Sequence, residues 1–173
     1  MEDKNKIIVF ITVLAVLFIG LFLYGKPDEN KNKKLNTALN QSSDISALQA
    51  PEVFYDFGKI SMKNGNVSKI FKVMNPTNTD IKVPSVNTSC MCTTAYILGK
   101  DGSKSRPFGM PGHGRAVPKA NAIVEAGGSL DIEVVYDPNA HGPAGVGMIE
   151  RSVFVEDENK NVIEFKFRAN VTP

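Results

Sequence analysis

The side chains with the greatest chemical reach in this chain are sulfur and imidazole. Its only two cysteines, Cys90 and Cys92, stand two apart in Ser89-Cys90-Met91-Cys92-Thr93-Thr94. Its only two histidines, His113 and His141, sit in separate Gly/Pro-rich stretches, and Met110 lies three residues before the first. Two thiolates, two imidazoles and a thioether form a donor set for a soft or borderline metal. Zinc takes Cys and His ligands tetrahedrally. Copper accepts thiolate, imidazole and thioether. The cofactor expectation is therefore a copper or zinc ion held by Cys90, Cys92, His113 and His141, with Met110 as a further donor. Such a set requires these side chains to gather within about 4–5 Å, because bonds from the ion to its ligands are about 2.0–2.3 Å long.

The same pair of thiols has other uses. Residues i and i+2 of a strand point to one face, with Cα atoms roughly 6.6 Å apart. That lies near the upper end of the disulfide range of about 4.4–6.8 Å. A Cys90–Cys92 disulfide, a buried pair of small apolar side chains and a redox-active dithiol all remain open. Alternation would turn Met91 away from the sulfurs, which makes Met110 the better thioether candidate. Cys-x-Cys is shorter than the usual zinc spacing. Cys with His also suggests a nucleophile and its base. Thiols at i and i+2 suit chelation or redox chemistry better than acyl transfer, so a binding protein is expected rather than an enzyme.

The elements that must position these residues are strands. Alternation is clearest at the C-terminus, where Ile163, Phe165, Phe167, Ala169 and Val171 face one way and Glu164, Lys166 and Arg168 the other. Leu130, Ile132, Val134 and Tyr136 repeat the pattern. Further strands are expected at residues 53–58, 67–74, 80–89, 93–98 and 148–156. Asn64-Gly65 and Gly127-Gly128 mark turns, and Pro84 marks an edge or a bulge. Residues 99–121, with five Gly and three Pro, read as one long loop. About seven short strands without an amphipathic helix predict an all-β fold, an immunoglobulin-like β-sandwich. The Cys pair is too close in sequence to bridge two sheets, and the chain has no Trp.

These residues also carry a resemblance. Phe54-x-Asp56-Phe57-Gly58-x-Ile60, Phe71-Lys72-Val73-x-Asn75, Val86-x-x-Ser89-Cys90-x-Cys92-Thr93 and the strand ending Tyr136-Asp137 resemble the bacterial family called domain of unknown function 1573. That family is similar to immunoglobulin-like domains of the major-sperm-protein and cilia-associated kind. The resemblance covers most of residues 53–171. It implies a sandwich, usually exported or membrane-tethered, and brings no activity with it. The chain departs from the family pattern at residues 107–114 and 141–147, the two segments that hold the histidines.

The N-terminal quarter differs in kind. Residues 7–24 run without a charge. As a helix, eighteen residues reach roughly 27 Å, near the bilayer's hydrocarbon thickness of about 30 Å. The run is long for a cleaved signal peptide and has no Ala-x-Ala site after it. Residues 1–25 are expected to form a single-pass membrane anchor and 26–50 a flexible, Asn/Lys/Ser-rich linker. The sandwich is expected over 51–173. The short tail before the apolar run, together with the resemblance, places that domain outside the cytoplasm, at the cell surface or in the periplasm. A literal count of flanking lysines favours the reverse orientation. Residues 51–173 hold 14 Lys/Arg against 13 Asp/Glu, so nothing recommends nucleic acid as a partner. The membrane is the one partner expected by class; a protein partner is left unnamed. Without a metal, the chain would be an adhesion or scaffold domain with a disulfide.

Overall fold

The structure, a computed structural model, describes residues 47–112 and 116–173. All belong to one compact unit. The apolar run at 7–24, the linker up to residue 46 and His113 lie outside the described residues. Among the described residues, no helix is long and apolar enough to cross a membrane.

Nine strands form among the described residues: β1 (Phe54–Ser61), β2 (Val67–Met74), β3 (Ile81–Val83), β4 (Ser85–Thr88), β5 (Thr93–Leu98), β6 (Ala122–Val124), β7 (Ser129–Tyr136), β8 (Gly147–Glu156) and β9 (Val162–Thr172). Two sheets dominate. One runs in the order β1-β9-β8-β4 and the other in the order β2-β7-β5, while β3 and β6 form a small pair. β1 lies parallel to β9; the remaining pairings are antiparallel.

The alternating faces read from the sequence become the core. Ile163, Phe165, Phe167, Ala169 and Val171 of β9 are buried, as are Ile132, Val134 and Tyr136 of β7. Phe71 of β2 stacks on Phe165 of β9 at 4.6 Å between ring centroids, and Tyr136 meets Phe167 at 5.5 Å. These contacts cross from one sheet to the other, so the two sheets close as a β-sandwich. Each such side chain contributes about 1.5–3 kcal/mol by leaving water.

Four details differ from the reading of the sequence. The strand expected over 80–89 is two strands in different sheets, because Pro84 has no N–H to donate and the chain changes partner there: β3 pairs with β6, β4 with β8. This split, with the three-residue β6, brings the count to nine rather than about seven. The first strand does not stop at Gly58. It continues to Ser61 through a register shift in which Gly58, at φ +66°, donates its N–H to Asp56 Oδ1 at 2.8 Å. The packed chain also starts ahead of Pro51: Leu48 is buried in the core, and Gln49 and Met74 exchange backbone hydrogen bonds.

The fourth difference concerns the long loop. Its first half folds back along β5. Ala95 and Phe108 exchange both backbone hydrogen bonds at 2.9 Å, and Ser105 N–H donates to Ile97 C=O. Phe108, the one aromatic residue in this stretch, is the buried anchor. Thr88 N–H then donates to Gly109 C=O at 3.2 Å, which brings the following Met110 beside the end of β4.

Candidate metal centre

The site lies where β4 of one sheet hands the chain to β5 of the other. Cys90-Met91-Cys92 is not extended there. Thr93 N–H donates to Cys90 C=O at 3.1 Å, which closes a turn, and the buried Thr88 hydroxyl is within hydrogen-bonding distance of the carbonyls of both Cys90 and Thr93. Ser89 is tied to β8 twice, through Ser89 N–H to Ser152 C=O and Ser152 N–H to Ser89 Oγ. The turn brings the two Cα atoms to 5.3 Å instead of the 6.6 Å of an extended strand, and the two cysteines are joined as a disulfide. Met91 points to solvent at 54% exposure, whereas Cys90 and Cys92 retain 9% and 2%.

Strand register brings His141 to this turn. Thr93 pairs with Tyr136 across β5 and β7. The residue before Thr93 and the residue after Tyr136 are therefore also opposite each other, and Asp137 N–H donates to Cys92 C=O at 2.9 Å. From Asp137 the chain coils tightly. The Asp137 carboxylate accepts from Asn139 N–H, Gly142 N–H donates to Asn139 C=O, and residues Gly142–Gly145 form a single 3-10 turn. Two glycines make this possible. Gly142 adopts φ +55°, and Gly145 is buried so closely that a Cβ there would stand 3.3 Å from Pro138 C=O and 3.5 Å from His141 Cβ. The result is an exposed His141 whose Nε2 is 3.1 Å from Cys90 Sγ.

The Cys90 and Cys92 sulfurs and a His141 ring nitrogen all lie within 4.8 Å of one another. This is the span that a shared ion requires. Met110 is half-buried: with Met91, Thr93, Phe108 and Val117 it lines an adjoining cleft of about 250 Å³. His113 is outside the described residues, so the described cluster has three Cys and His donors.

Arg151 completes the surroundings and was not legible as part of a site. On β8 it alternates with Val153 and Val155, and so faces the sandwich interior at this end of the molecule. Its Nε donates to Cys92 Sγ at 3.4 Å, and one terminal nitrogen donates to Glu150 C=O. Among the described residues no carboxylate lies within ion-pair distance of it. Its charge is felt nearby: burial raises the Tyr136 phenol above its ordinary pKa, Arg151 draws it back, and Asp137 adds to the rise. The only sequence signal was a cation at an inward position of an alternating strand, and that inward phase was hidden by the exposed Met148 and Glu150 around it.

No protein-family model matches the chain, and no curated protein matches it. Among solved structures, it is similar to a protein of unknown function from Porphyromonas gingivalis W83. The identity is 14%, the TM-score is 0.51, and the likeness covers 71% of this chain and 46% of that one. The chain thus spans about half the length of that protein. It is also similar to the ASH / PapD-like domain 7 of human CEP192, at 14% identity and a TM-score of 0.45 over 73% of this chain and 86% of that one. The CupB2 chaperone of Pseudomonas aeruginosa follows at 14% identity and a TM-score of 0.36, over 71% and 55% of the two chains. The first of these likenesses speaks to the fold and to nothing finer. The described residues form a β-sandwich with a cluster of two cysteines and one histidine at one end.

Proposed function

We propose that this chain is a membrane-anchored, extracytoplasmic immunoglobulin-like module that binds a copper ion through Cys90, Cys92 and His141. One observation carries the proposal: three side chains from two separate loops place their donor atoms within 4.8 Å of one another. The resemblance of Ser89–Thr93 to the domain of unknown function 1573 family, and the apolar run at 7–24, support the exported, tethered setting.

In this reading, opening the disulfide supplies two thiolates, and His141 binds as the neutral imidazole. Soft thiolate donors suit monovalent copper and zinc alike. Charge favours copper. Two thiolates with Cu(I) carry a net −1, which Arg151 offsets; with Zn²⁺ they are neutral and Arg151 has no counter-charge. Zinc also prefers four ligands, which would call on Met110 or His113 from the neighbouring loop. The role is binding and display of the ion rather than catalysis.

A second reading has an observation of its own. The cysteines already form a disulfide, which suits a metal-free interaction or scaffold domain. Metal analysis of the reduced full-length chain separates the two. The copper reading expects one ion per chain, lost in Cys92→Ser and weakened by at least about 100-fold in His141→Ala, beyond the 10–100-fold typical of outer-shell partners. A reduced chain that retains no ion would leave the scaffold reading.

A further inference from the structure

The surroundings of the two sulfurs differ in a way that a passive crosslink does not need. The geometry points to a second activity: the Cys90–Cys92 disulfide exchanges with external thiols by a directed route, with Cys90 as the sulfur attacked and Cys92 as the leaving group. Cys92 is the more deeply buried of the two, and Arg151 donates to it. Cys90 retains more surface, and its sulfur has as polar neighbours the exposed His141 ring and the Cys92 N–H. A half-buried, inward-facing cation with no carboxylate partner among the described residues gains little from a neutral sulfur beside it. It gains more once the adjoining sulfur carries a negative charge.

The step balances as follows. The thiolate of an external dithiol attacks Cys90 Sγ. A mixed disulfide to Cys90 forms as the Cys90–Cys92 bond breaks, and the electron pair leaves on Cys92 Sγ as a thiolate beside the guanidinium. The second thiol of the reductant, after giving its proton to water, attacks its own sulfur in the mixed disulfide and releases Cys90 as a thiolate. The dithiol has lost two electrons and become a disulfide. The protein has gained the same two electrons as a pair of free sulfurs, which take protons from water. A leaving sulfur stabilised as the thiolate departs faster. The turn itself is held by Thr88, Ser89 and Thr93 through backbone and hydroxyl hydrogen bonds, so the bond can open without unfolding β4 or β5.

The activity does not depend on the copper reading, and the test is run without metal. The oxidised full-length chain, with chelator present, is treated with glutathione, quenched in acid and alkylated. The adduct is then located by fragmentation of the peptide that holds both cysteines. The expected intermediate carries glutathione on Cys90 and the alkyl group on Cys92. Arg151→Gln should slow its formation about tenfold, and Arg151→Lys should recover most of the rate. Glutathione on Cys92 or equally on both sulfurs, an unchanged rate in Arg151→Gln, or reduction only when denaturant is added would each overturn the inference. A chain that exchanges this way yet retains no copper would refute the metal reading alone.

Discussion

Arg151→Gln also tests why this site should prefer a monovalent ion. The Cu(I) and Zn²⁺ complexes of the same two thiolates and imidazole differ by one unit of charge. Whatever the protonation of the free site, Arg151 therefore shifts the copper-to-zinc ratio by its interaction with that one unit. Arg151 Nε is 3.4 Å from Cys92 Sγ and the ion would lie about 2.3 Å from that sulfur, so over roughly 5 Å this is worth about 0.8 kcal/mol in water and about 3.3 kcal/mol at an effective dielectric of about 20. Arg151 is only half-buried, so water screens much of the interaction and the lower end applies. A shift of about 1.5 kcal/mol, roughly tenfold in the affinity ratio, is expected. The assay is anaerobic competition of the reduced full-length chain against a chromophoric chelator, once with copper and once with zinc. Arg151→Gln should move the ratio about tenfold towards zinc, and Arg151→Lys should leave it close to the parent. A ratio that does not move in Arg151→Gln, or that moves towards copper, refutes the charge argument.

Three further outcomes follow from the fold. Gly145→Ala puts a Cβ 3.3 Å from the Pro138 carbonyl and against the His141 side chain; a loss of about 1–3 kcal/mol of stability is expected, with weaker copper retention, and a variant unchanged in both by thermal melting and metal analysis would show that the loop tolerates the atom. Phe165→Ala removes a fully buried ring stacked on Phe71 and should cost about 3–5 kcal/mol in urea unfolding; a loss below about 1 kcal/mol would place the core elsewhere. The Asp56 carboxyl is held below its ordinary pKa of 3.8, first by the Gly58 N–H and then by Arg168. A depressed folded pKa favours folding above the unfolded value and loses that support as pH falls through the folded one. Asp56→Asn should therefore be less stable than the parent at roughly pH 6 and converge with it in acid; an equal gap at both pH values would contradict this link between β1 and β9.

Much of the sandwich was legible because burial writes itself in the sequence with period two. β9 and β7 carry unbroken alternation, and β2 and β5 fall on the residues expected of them. Pro84 announced a disturbance, but not that the chain would leave one sheet for the other, since that depends on which strands lie alongside. The return of residues 99–108 along β5 was hidden because its hydrogen bonds come from the backbone, which Gly and Ser supply without any apolar pattern. At the site, the donor types were visible and their meeting was not. Cys92 and His141 are neighbours because Thr93 pairs with Tyr136, and register is a property of two strands together. The 5.3 Å approach of the cysteine Cα atoms required a turn where the alternation had suggested strand. Arg151 went unnoticed because a lone cation on a strand usually faces water.

The most direct measurement is X-ray absorption on the reduced, copper-loaded full-length chain. Two sulfur neighbours and one imidazole nitrogen around the ion are expected, with the nitrogen signal lost in His141→Ala. A shell of oxygen and nitrogen without sulfur, or a spectrum unchanged in His141→Ala, would contradict the joint binding of one ion by the turn at Cys90–Cys92 and the loop at His141.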